Sequence, residues 1–343
     1  MFRSIASELE ETKAEGQESR FTVDEKGDPV YITSIPIVEL FASVEETKDD
    51  TEALLTEQAI AGMKNRKDWF DRQLTDLQRK ICRLSLESAK NGETAFTLRT
   101  GKKAISWNAL ASGISAAMSS DIADYEWVDM GYGRLSQTYK KKGKSFTVTV
   151  ELDRSVYYDE EVEQSAREKI KEIVSEASAY AKENWPADTR YGMVKYFDEW
   201  LCEHNYYNKN GAKTGCKDLA EYHYSHSSYG CLLMGYGVCE SYARAMTRLL
   251  DAAGIPNYEA IGLARAGDPH SGHAWNIILM SDGKWYLLDS TWNDEGDTSS
   301  GEYFLTGEIK SRSANGRYWG RSRIFSYPVI SSEKYIRNES PKS

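Results

Sequence analysis

The amino-acid sequence predicts an α+β protein, and three observations support this fold class. Apolar residues recur at helical spacing in several segments, for example at Leu74, Leu77 and Ile81. Other segments, such as "SFTVTVEL", alternate and are rich in aromatic and β-branched residues, as strands are. Within residues 271–294, two apolar runs flank "SDG", which is typical of a β-hairpin. Helices and antiparallel strands are therefore expected in the same chain.

Residues 1–63 are expected to form an acidic, weakly structured leader. Residues 1–60 hold 15 acidic and 5 basic side chains, whereas the rest of the chain holds 38 of each sign. "VYITSIPIVELF", residues 30–41, has the composition of a short strand, but Pro36 interrupts it. Because the remainder of the chain has no excess of basic residues, a nucleic-acid partner is not expected.

Residues 64–155 are expected to form a smaller N-terminal α+β domain. "DWFDRQLTDLQRKICRLSLESAKNG" predicts a helix that ends at Gly92, and "TAFTLRTG" predicts a strand that stops at Gly101. A second helix is expected in "SWNALASGISAAMSSD". "YEWVDMGYGRLSQTY" and "SFTVTVEL" should then pair as a hairpin around "KKKGK".

Residues 156–343 are expected to form the larger domain, which begins with two helices. "EEVEQSAREKIKEIVSEASAYAKEN" predicts the first, and Asp188 with Thr189 suits the N-cap of the second. After the glycine-containing "GYGV", residues 239–253 have an amphipathic helical pattern that stops at Gly254. Cys239 is therefore expected in the first turn of a helix. Free N–H groups and the helix dipole favour a thiolate there and could donate to an oxyanion.

The predicted hairpin supplies two partners for this thiol, His273 on its first strand and Asp289 on its second. A nucleophile, a base and an orienting acid are what activated-thiol acyl chemistry requires. The loop decides whether they meet. A two-residue turn would place His273 and Asp289 on opposite faces. A three-residue loop with a left-handed Gly283 would pair Met280 with Lys284 and place Asp289 opposite Trp275 and His273 opposite Thr291. His273 and Asp289 would then be diagonal neighbours on one face of the hairpin, about 7 Å apart at Cα. We predict the three-residue loop.

Three segments, "GVCESYA", "HAWN" and "WYLLDSTWND", resemble the Cys, His and Asp motifs of the transglutaminase-like superfamily, in its bacterial branch. The upstream "HNYYN" and "SSYGCLLMGYGVC" are also similar to that branch. The resemblance covers about residues 160–295 and extends more weakly back to about residue 64. It implies a papain-like core in which the thiol-bearing helix packs on an antiparallel sheet. It also implies Cys239 as nucleophile, His273 as base and Asp289 as the residue that orients the base. Ser241 stands where many relatives have glycine, which would narrow the space beside the nucleophile.

The function that we expect is thiol-dependent acyl transfer on the peptide or carboxamide bonds of a protein or peptide substrate. The sequence does not choose between a peptidase or amidase and a protein-glutamine transglutaminase. A catalytically silent binding or scaffold module on the same fold and a papain-like peptidase of another family are the alternatives. Tyr229 and Trp275 are candidates for the oxyanion site or the substrate cleft, although core packing is the commoner role of such residues.

No cofactor is expected, since a thiolate and a base suffice. Metal binding is not expected either, because the remaining cysteines and histidines lack paired ligand spacing. Five cysteines are too few for a disulfide scaffold, although a link among Cys202, Cys216 and Cys231 is possible in an exported protein. No transmembrane segment is expected. The resemblance and the acidic leader together suggest a secreted or cell-envelope protein whose signal is missing from this sequence, and a cytoplasmic location is the alternative. The sequence does not indicate an oligomeric state.

Overall fold

The computed structural model describes residues 18–36, 66–101, 104–120, 125–140, 145–154, 157, 159–213, 216–266, 268–296, 298–307, 317–318 and 328–337. The chain divides into two compact units. One is drawn from Met1–Asp49 and Phe70–Val156, and the other from Asp50–Trp69 and Tyr157–Ser343.

The N-terminal unit contains a five-stranded antiparallel sheet with strand order β1-β2-β4-β5-β3. Its strands are β1 (Glu18–Val23), β2 (Pro29–Pro36), β3 (Ala95–Gly101), β4 (Val128–Lys140) and β5 (Ser145–Arg154). Helices α2 (Asp76–Lys90) and α3 (Trp107–Ser120) belong to this unit, and α1 (Arg66–Gln73) crosses the division between the units, which falls after Trp69. Helices α2 and α3 pack closely, since a Cβ added to Gly113 would lie 2.6 Å from Cγ2 of Ile81. The predicted hairpin of β4 and β5 is present.

The expected single helix after residue 64 is two helices. Thr75 begins α2 by accepting a hydrogen bond from the amide of Gln78, whose side chain accepts one from the amide of Thr75 in return. This capping box satisfies amide groups that would otherwise be unpaired at a helix start. Because Thr75 is extended, the helical pattern is broken there.

Part of the expected leader has regular structure, because residues 18–36 form the hairpin of β1 and β2, and β2 pairs with β4. The turn is closed by Asp24, whose carboxylate accepts from the amides of Lys26 and Asp28. Pro36 ends β2 and does not interrupt it. The described strands therefore differ from the weakly structured segment expected there. Residues 1–17 and 37–65 lie outside the described residues, and the domain boundaries at residues 63 and 155 stay predictions.

The C-terminal unit contains a four-stranded antiparallel sheet with strand order β10-β9-β8-β11. Its helices are α4 (Glu160–Asn184), α5 (Thr189–His204), α6 (Leu219–Ser225), α7 (Cys239–Ala252) and α8 (Ser290–Asn293). Its strands are β6 (Tyr206–Tyr207), β7 (Tyr236–Gly237), β8 (Asn257–Ala266), β9 (Asp268–Leu279), β10 (Trp285–Leu288) and β11 (Arg317–Tyr318). The short strands β6 and β7 pair in parallel outside this sheet.

Helix α7 lies at the centre of this unit. It packs on β8 and β9 on one side and on α4 and α5 on another. The apolar face that the sequence predicted is buried, and Tyr242, Met246, Leu249 and Leu250 belong to one core cluster with residues of α4 and α5. Asp188 caps α5 as expected, since its carboxylate accepts from the amide of Tyr191.

The hairpin of β9 and β10 has the predicted three-residue loop. Trp285 pairs with Leu279, and the amide of Met280 donates to the carbonyl of Lys284. Gly283 has a φ of 80°, which is the left-handed conformation that the prediction required. This register places the end of β10 beside the middle of β9.

Candidate active site

Cys239 is the first residue of α7. The N-cap residue, Val238, forms no side-chain hydrogen bond to the helix. Val238 is extended and buried and follows the short strand β7. Since no side chain caps this end, the first amide groups of α7 and its positive dipole end are directed at the region of the thiol.

Ser241 is buried in the first turn of α7. Its hydroxyl donates to the carbonyl of Ser227 at 2.5 Å and accepts from the amide of Cys231 at 3.1 Å. A Cβ added to Gly237 would lie 2.5 Å from Cβ of Ser241. Ser241 therefore binds the segment before β7. The expectation that it narrows the space beside the nucleophile has no support in these contacts.

His273 and Asp289 meet in the interior of the unit. Nε2 of His273 lies 2.8 Å from Oδ2 of Asp289, and the two residues are 6% and 0% exposed. The other carboxylate oxygen, Oδ1, accepts from the amide of Trp292 at 3.1 Å. Both oxygens of Asp289 are thus held, and Nδ1 is the imidazole nitrogen that remains for another partner.

The route by which Asp289 reaches His273 differs in one respect from the expectation. Strand β10 ends at Leu288, and Asp289 is the N-cap of the four-residue helix α8. Thr291 lies in that helix, so the expected pairing of His273 with Thr291 does not form. Asp289 acts as a helix cap and a histidine partner at once.

The environment of His273 favours its charged form. Burial lowers the pKa of His273, but the charge of Asp289 and the hydrogen bond to it raise the pKa, and so does the nearby Cys239 side chain. The result is a pKa of about 9. An imidazole of this kind accepts a proton from a thiol readily, because the adjacent carboxylate stabilises the cation that forms.

Two tryptophans hold the imidazole ring. Trp292 stacks on His273 with ring centroids 4.9 Å apart, and Trp275 stacks at 5.8 Å. Trp275 is 1% exposed, so almost none of its ring is accessible to a substrate. Trp275 therefore has the packing role that was the commoner alternative.

Tyr229, the other candidate from the sequence, has its hydroxyl bound elsewhere. It donates to Oε2 of Glu163 at 2.9 Å, and Glu163 also receives two hydrogen bonds from Arg248. The ring of Tyr229 is buried beneath the Arg248 guanidinium. These contacts join α4 to α7, and they occupy the hydroxyl that an oxyanion site would need.

Tyr207 is the residue that the sequence analysis missed. It lies on β6 and pairs with Gly237 of β7, and Gly237 is two residues before Cys239. Its side chain is 38% exposed, and no hydrogen bond of its hydroxyl is seen within the described part of the chain. Burial raises the pKa of Tyr207 to about 12, and the charge of Cys239 adds to the rise. A phenol with an available donor is therefore close to Cys239. The two adjacent tyrosines of "HNYYN" were visible in the sequence, but their pairing with β7 was not.

Asn276 joins the histidine strand to the cysteine helix. Its amide donates to the carbonyl of Ala243 and to Oγ1 of Thr247, each at 2.9 Å. Both partners belong to α7, so Asn276 connects β9 to this helix. Asp294 accepts from Tyr242 of the same helix and from the amide of Gly296. The triad strand and the triad helix are thus fixed to each other by polar contacts.

The five thiols are all free, and Cys239 is one of two that are not buried. Burial raises the pKa of Cys202 and of Cys231, which keeps these thiols protonated. Among the residues that the structure describes, no group of three His, Cys, Asp or Glu side chains is placed to hold a metal ion. None of the helices in the described ranges is both long and apolar enough to cross a membrane.

Part of this chain matches a known protein family. Residues 178–290 match the model of the transglutaminase-like superfamily. A search of curated proteins gives no significant match.

Among solved structures, one described as a TGase is 15% identical with a TM-score of 0.32 and covers 50% of this chain and 47% of its own. A protein of Cytophaga hutchinsonii described as a candidate cysteine protease is 16% identical with a TM-score of 0.26. The match covers 48% of this chain and 59% of that protein. A candidate protease of Parabacteroides distasonis is 10% identical with a TM-score of 0.22, covering 47% and 37%. The chain thus spans about half the length of the first of these structures.

The family match includes Cys239, His273 and, near its end, Asp289. It agrees with the α+β fold class, in which the cysteine helix packs on an antiparallel sheet and a smaller α+β unit precedes it. The resemblance that the sequence suggested is therefore confirmed at the level of the family: residues 178–290 match the transglutaminase-like superfamily, and these residues include all three motifs.

Proposed function

We propose that this protein is a thiol-dependent acyl-transfer enzyme with Cys239 as nucleophile, His273 as base and Asp289 as the residue that orients the base. One observation carries the proposal: Nε2 of His273 lies 2.8 Å from Oδ2 of Asp289, and the Cys239 side chain is near enough to the same imidazole to raise its pKa. A base placed between a nucleophile and an orienting acid is the geometry of covalent acyl-transfer catalysis.

The chemistry proceeds in two halves. The thiol proton passes to Nδ1 of His273, and Sγ of Cys239 forms a bond to the carbonyl carbon of a peptide or carboxamide. The carbon–oxygen π pair moves to the oxygen. When the tetrahedral species collapses, the carbon–nitrogen bond breaks and the imidazolium protonates the leaving amine. Water or a second amine then attacks the thioester, giving its proton to His273, and the thiol is released.

Tyr207 completes this site as a donor to the oxyanion. The first amide groups of α7 supply backbone donors, and the hydroxyl of Tyr207 lies on the strand that pairs with the approach to Cys239. Because its donor is not engaged within the described residues, it can bind the oxygen without first breaking another hydrogen bond. Removing one oxyanion donor costs about 10²–10³ in kcat, so Tyr207→Phe should lower kcat far more than it changes KM.

Selective alkylation tests the activated thiol. At about pH 7, iodoacetamide should label Cys239 faster than Cys216, which is the other thiol that is not buried. The advantage should disappear in His273→Ala. Labelling of Cys239 no faster than that of Cys216 in the unaltered protein would support the silent scaffold alternative instead.

The acyl acceptor decides between hydrolysis and transamidation. The purified protein should be profiled against a peptide library with and without an added primary amine, with Cys239→Ala as the inactive control. Cleaved peptides or free ammonia without amine incorporation assign a peptidase or amidase. Incorporation of the amine into glutamine-containing peptides assigns a transglutaminase. The absence of any difference from Cys239→Ala across the library would contradict the proposal.

A further inference from the structure

Asp198 lies behind the triad and takes no part in the reaction as described. It is on α5 and is 1% exposed. Its carboxylate accepts three hydrogen bonds: from Ser290 at 2.7 Å, from Asn293 at 3.0 Å and from Ser299 at 2.8 Å. A buried carboxylate is costly unless it is well paired. This one is satisfied entirely by side chains from one short region of the chain.

That region is α8 and the segment after it. Ser290 and Asn293 are the first and last residues of α8, so Asp198 holds both ends of the helix. One turn further along α5, the thiol of Cys202 contacts the carbonyl of Ser290 at 3.6 Å. Two residues of α5 therefore anchor the same four-residue helix.

Helix α8 in turn determines where the triad carboxylate lies. Asp289 is its N-cap, and Trp292, within it, stacks on His273. A single helical turn is far too short to be stable alone. Its position must come from contacts with the rest of the unit, and the described side-chain contacts converge on Asp198.

We propose that Asp198 is a positioning residue, which holds α8 so that Asp289 and Trp292 stay in place against His273. This inference rests on the proposed function, since it assigns Asp198 a role through the triad. Asp198 touches neither the thiol nor the imidazole in the described contacts, and its hydrogen bonds reach the triad through α8.

A carboxylate is needed for this role rather than any polar group. The side-chain nitrogen of Asn293 faces Asp198. This nitrogen can only donate, so it requires an acceptor there. In Asp198→Asn the amide oxygen can still accept from Asn293 and Ser299, but an NH2 group faces the hydroxyl of Ser290, which must turn to accept. The substitution keeps the volume of the side chain but removes its charge, and hydrogen bonds to a charged group are about twice as strong as neutral ones, so the anchoring of α8 is weakened.

Asp188→Asn provides a matched control. Asp188 is also a buried carboxylate that accepts three hydrogen bonds, from the amide of Tyr191 and from the hydroxyls of Ser281 and Tyr335. None of these partners belongs to α8. Both variants should lower the unfolding temperature, but only Asp198→Asn should disturb the triad.

Two measurements on the full chain test the role: the midpoint of the His273 titration by NMR, and the rate of iodoacetamide labelling of Cys239 at about pH 7. We expect Asp198→Asn to lower the titration midpoint by about one pH unit and to slow labelling about tenfold. We expect Asp188→Asn to leave the midpoint in place. Equal effects of the two variants on His273 would overturn the inference, because Asp198 would then be a structural residue only.

The outcomes separate this inference from the proposed function. If Cys239 is not activated in the unaltered protein, the proposed function fails, while the His273 midpoint still reports whether Asp198 positions its partner. If Cys239 is activated and Asp198→Asn leaves both measurements unchanged, the inference alone fails. Should Asp198→Asn not fold, Ser290→Ala and Ser299→Ala each remove one donor to Asp198, and Ser281→Ala removes one donor to Asp188. Shifts in His273 no larger in the first two than in the third would overturn the inference.

Discussion

The carboxylate of Asp289 binds two elements at once: Oδ2 lies 2.8 Å from Nε2 of His273, while Oδ1 accepts from the amide of Trp292. Because Nε2 donates to the carboxylate, the imidazole keeps a proton there and leaves Nδ1 available to another partner. The helix cap fixes Asp289 and Asp289 fixes His273, which is the imidazole that the proposed function assigns to the Cys239 thiol.

Replacing Asp289 by asparagine should lower the pKa of His273 from about 9 to below its usual range, because the charge of Asp289 raises this pKa and burial alone lowers it. The effect on stability has a defined sign. A histidine with a raised pKa contributes stability that is complete below about pH 6.5 and is lost as the pH rises through about 9. The unfolding free energy should therefore fall between these values in the unaltered protein but not in Asp289→Asn, as chemical denaturation at several pH values can measure.

Asp282→Asn is the control for this change. Asp282 lies in the loop of the same hairpin and binds Tyr286 and the amide of Lys284. Its removal should leave the His273 titration midpoint where it is. An unchanged midpoint in Asp289→Asn would show that the charge of Asp289 does not set the pKa of His273.

The sequence predicted the helix of Cys239 and the hairpin of His273 because each has a local signal. Cys239 follows glycines and begins an amphipathic helix, and Gly283 permits the loop whose register brings β10 beside β9. Side chains alternate along strands, so the loop length alone decided which face Asp289 would occupy. Local patterns of this kind are sufficient when one register buries the apolar face and the other does not.

What the sequence did not predict depends on contacts between distant segments. Tyr207 approaches the nucleophile through a two-residue parallel pairing with β7, which has no pattern long enough to detect. Helix α8 is a single turn held by Asp198 from another helix. Strand β1 is exposed along its whole length, so it lacks the alternation of buried and exposed residues that identifies a strand.

Removing the side chain of Asn276 should loosen the cysteine helix from the histidine strand. Asn276→Ala loses two buried hydrogen bonds and leaves the carbonyl of Ala243 and the hydroxyl of Thr247 without this donor. We expect the unfolding free energy to fall by about 2–4 kcal/mol, because buried unsatisfied groups cost about 1–3 kcal/mol each. Urea unfolding measures the loss.

Thr247→Val is the matched control for Asn276, since it removes one acceptor and keeps the bond to Ala243. It should cost about half as much, roughly 1–2 kcal/mol. Iodoacetamide labelling of Cys239 should slow in Asn276→Ala more than in Thr247→Val. Equal stability losses in the two variants would contradict a role for the bond to the Ala243 carbonyl.

The hairpin loop should tolerate asparagine but not valine at position 283. Gly283 is left-handed, and a Cβ there would meet no atom within 4 Å, so the cost of substitution arises from the backbone alone. Asparagine adopts this conformation far more readily than a β-branched residue. Gly283→Val should lower the unfolding free energy by about 1–2 kcal/mol or more, with Gly283→Asn clearly less affected. Equal unfolding temperatures for the two variants would mean that the left-handed conformation does not determine the loop.

Gly237 and Ser241 should behave as a coupled pair. In Gly237→Ala the new Cβ would lie 2.5 Å from Cβ of Ser241 and 2.8 Å from Sγ of Cys231, so the turn before the nucleophile must shift, at a cost of about 1–3 kcal/mol. Ser241→Gly should cost about 1–2 kcal/mol through its two lost hydrogen bonds. The double variant removes the closest clash. Its loss should therefore be smaller than the sum of the single losses by at least about 0.5 kcal/mol in a double-mutant cycle. If the losses of unfolding free energy in the single variants add up to the loss in the double variant, Ser241 does not limit the space at Gly237. The Cys231 thiol would then be the group that limits it.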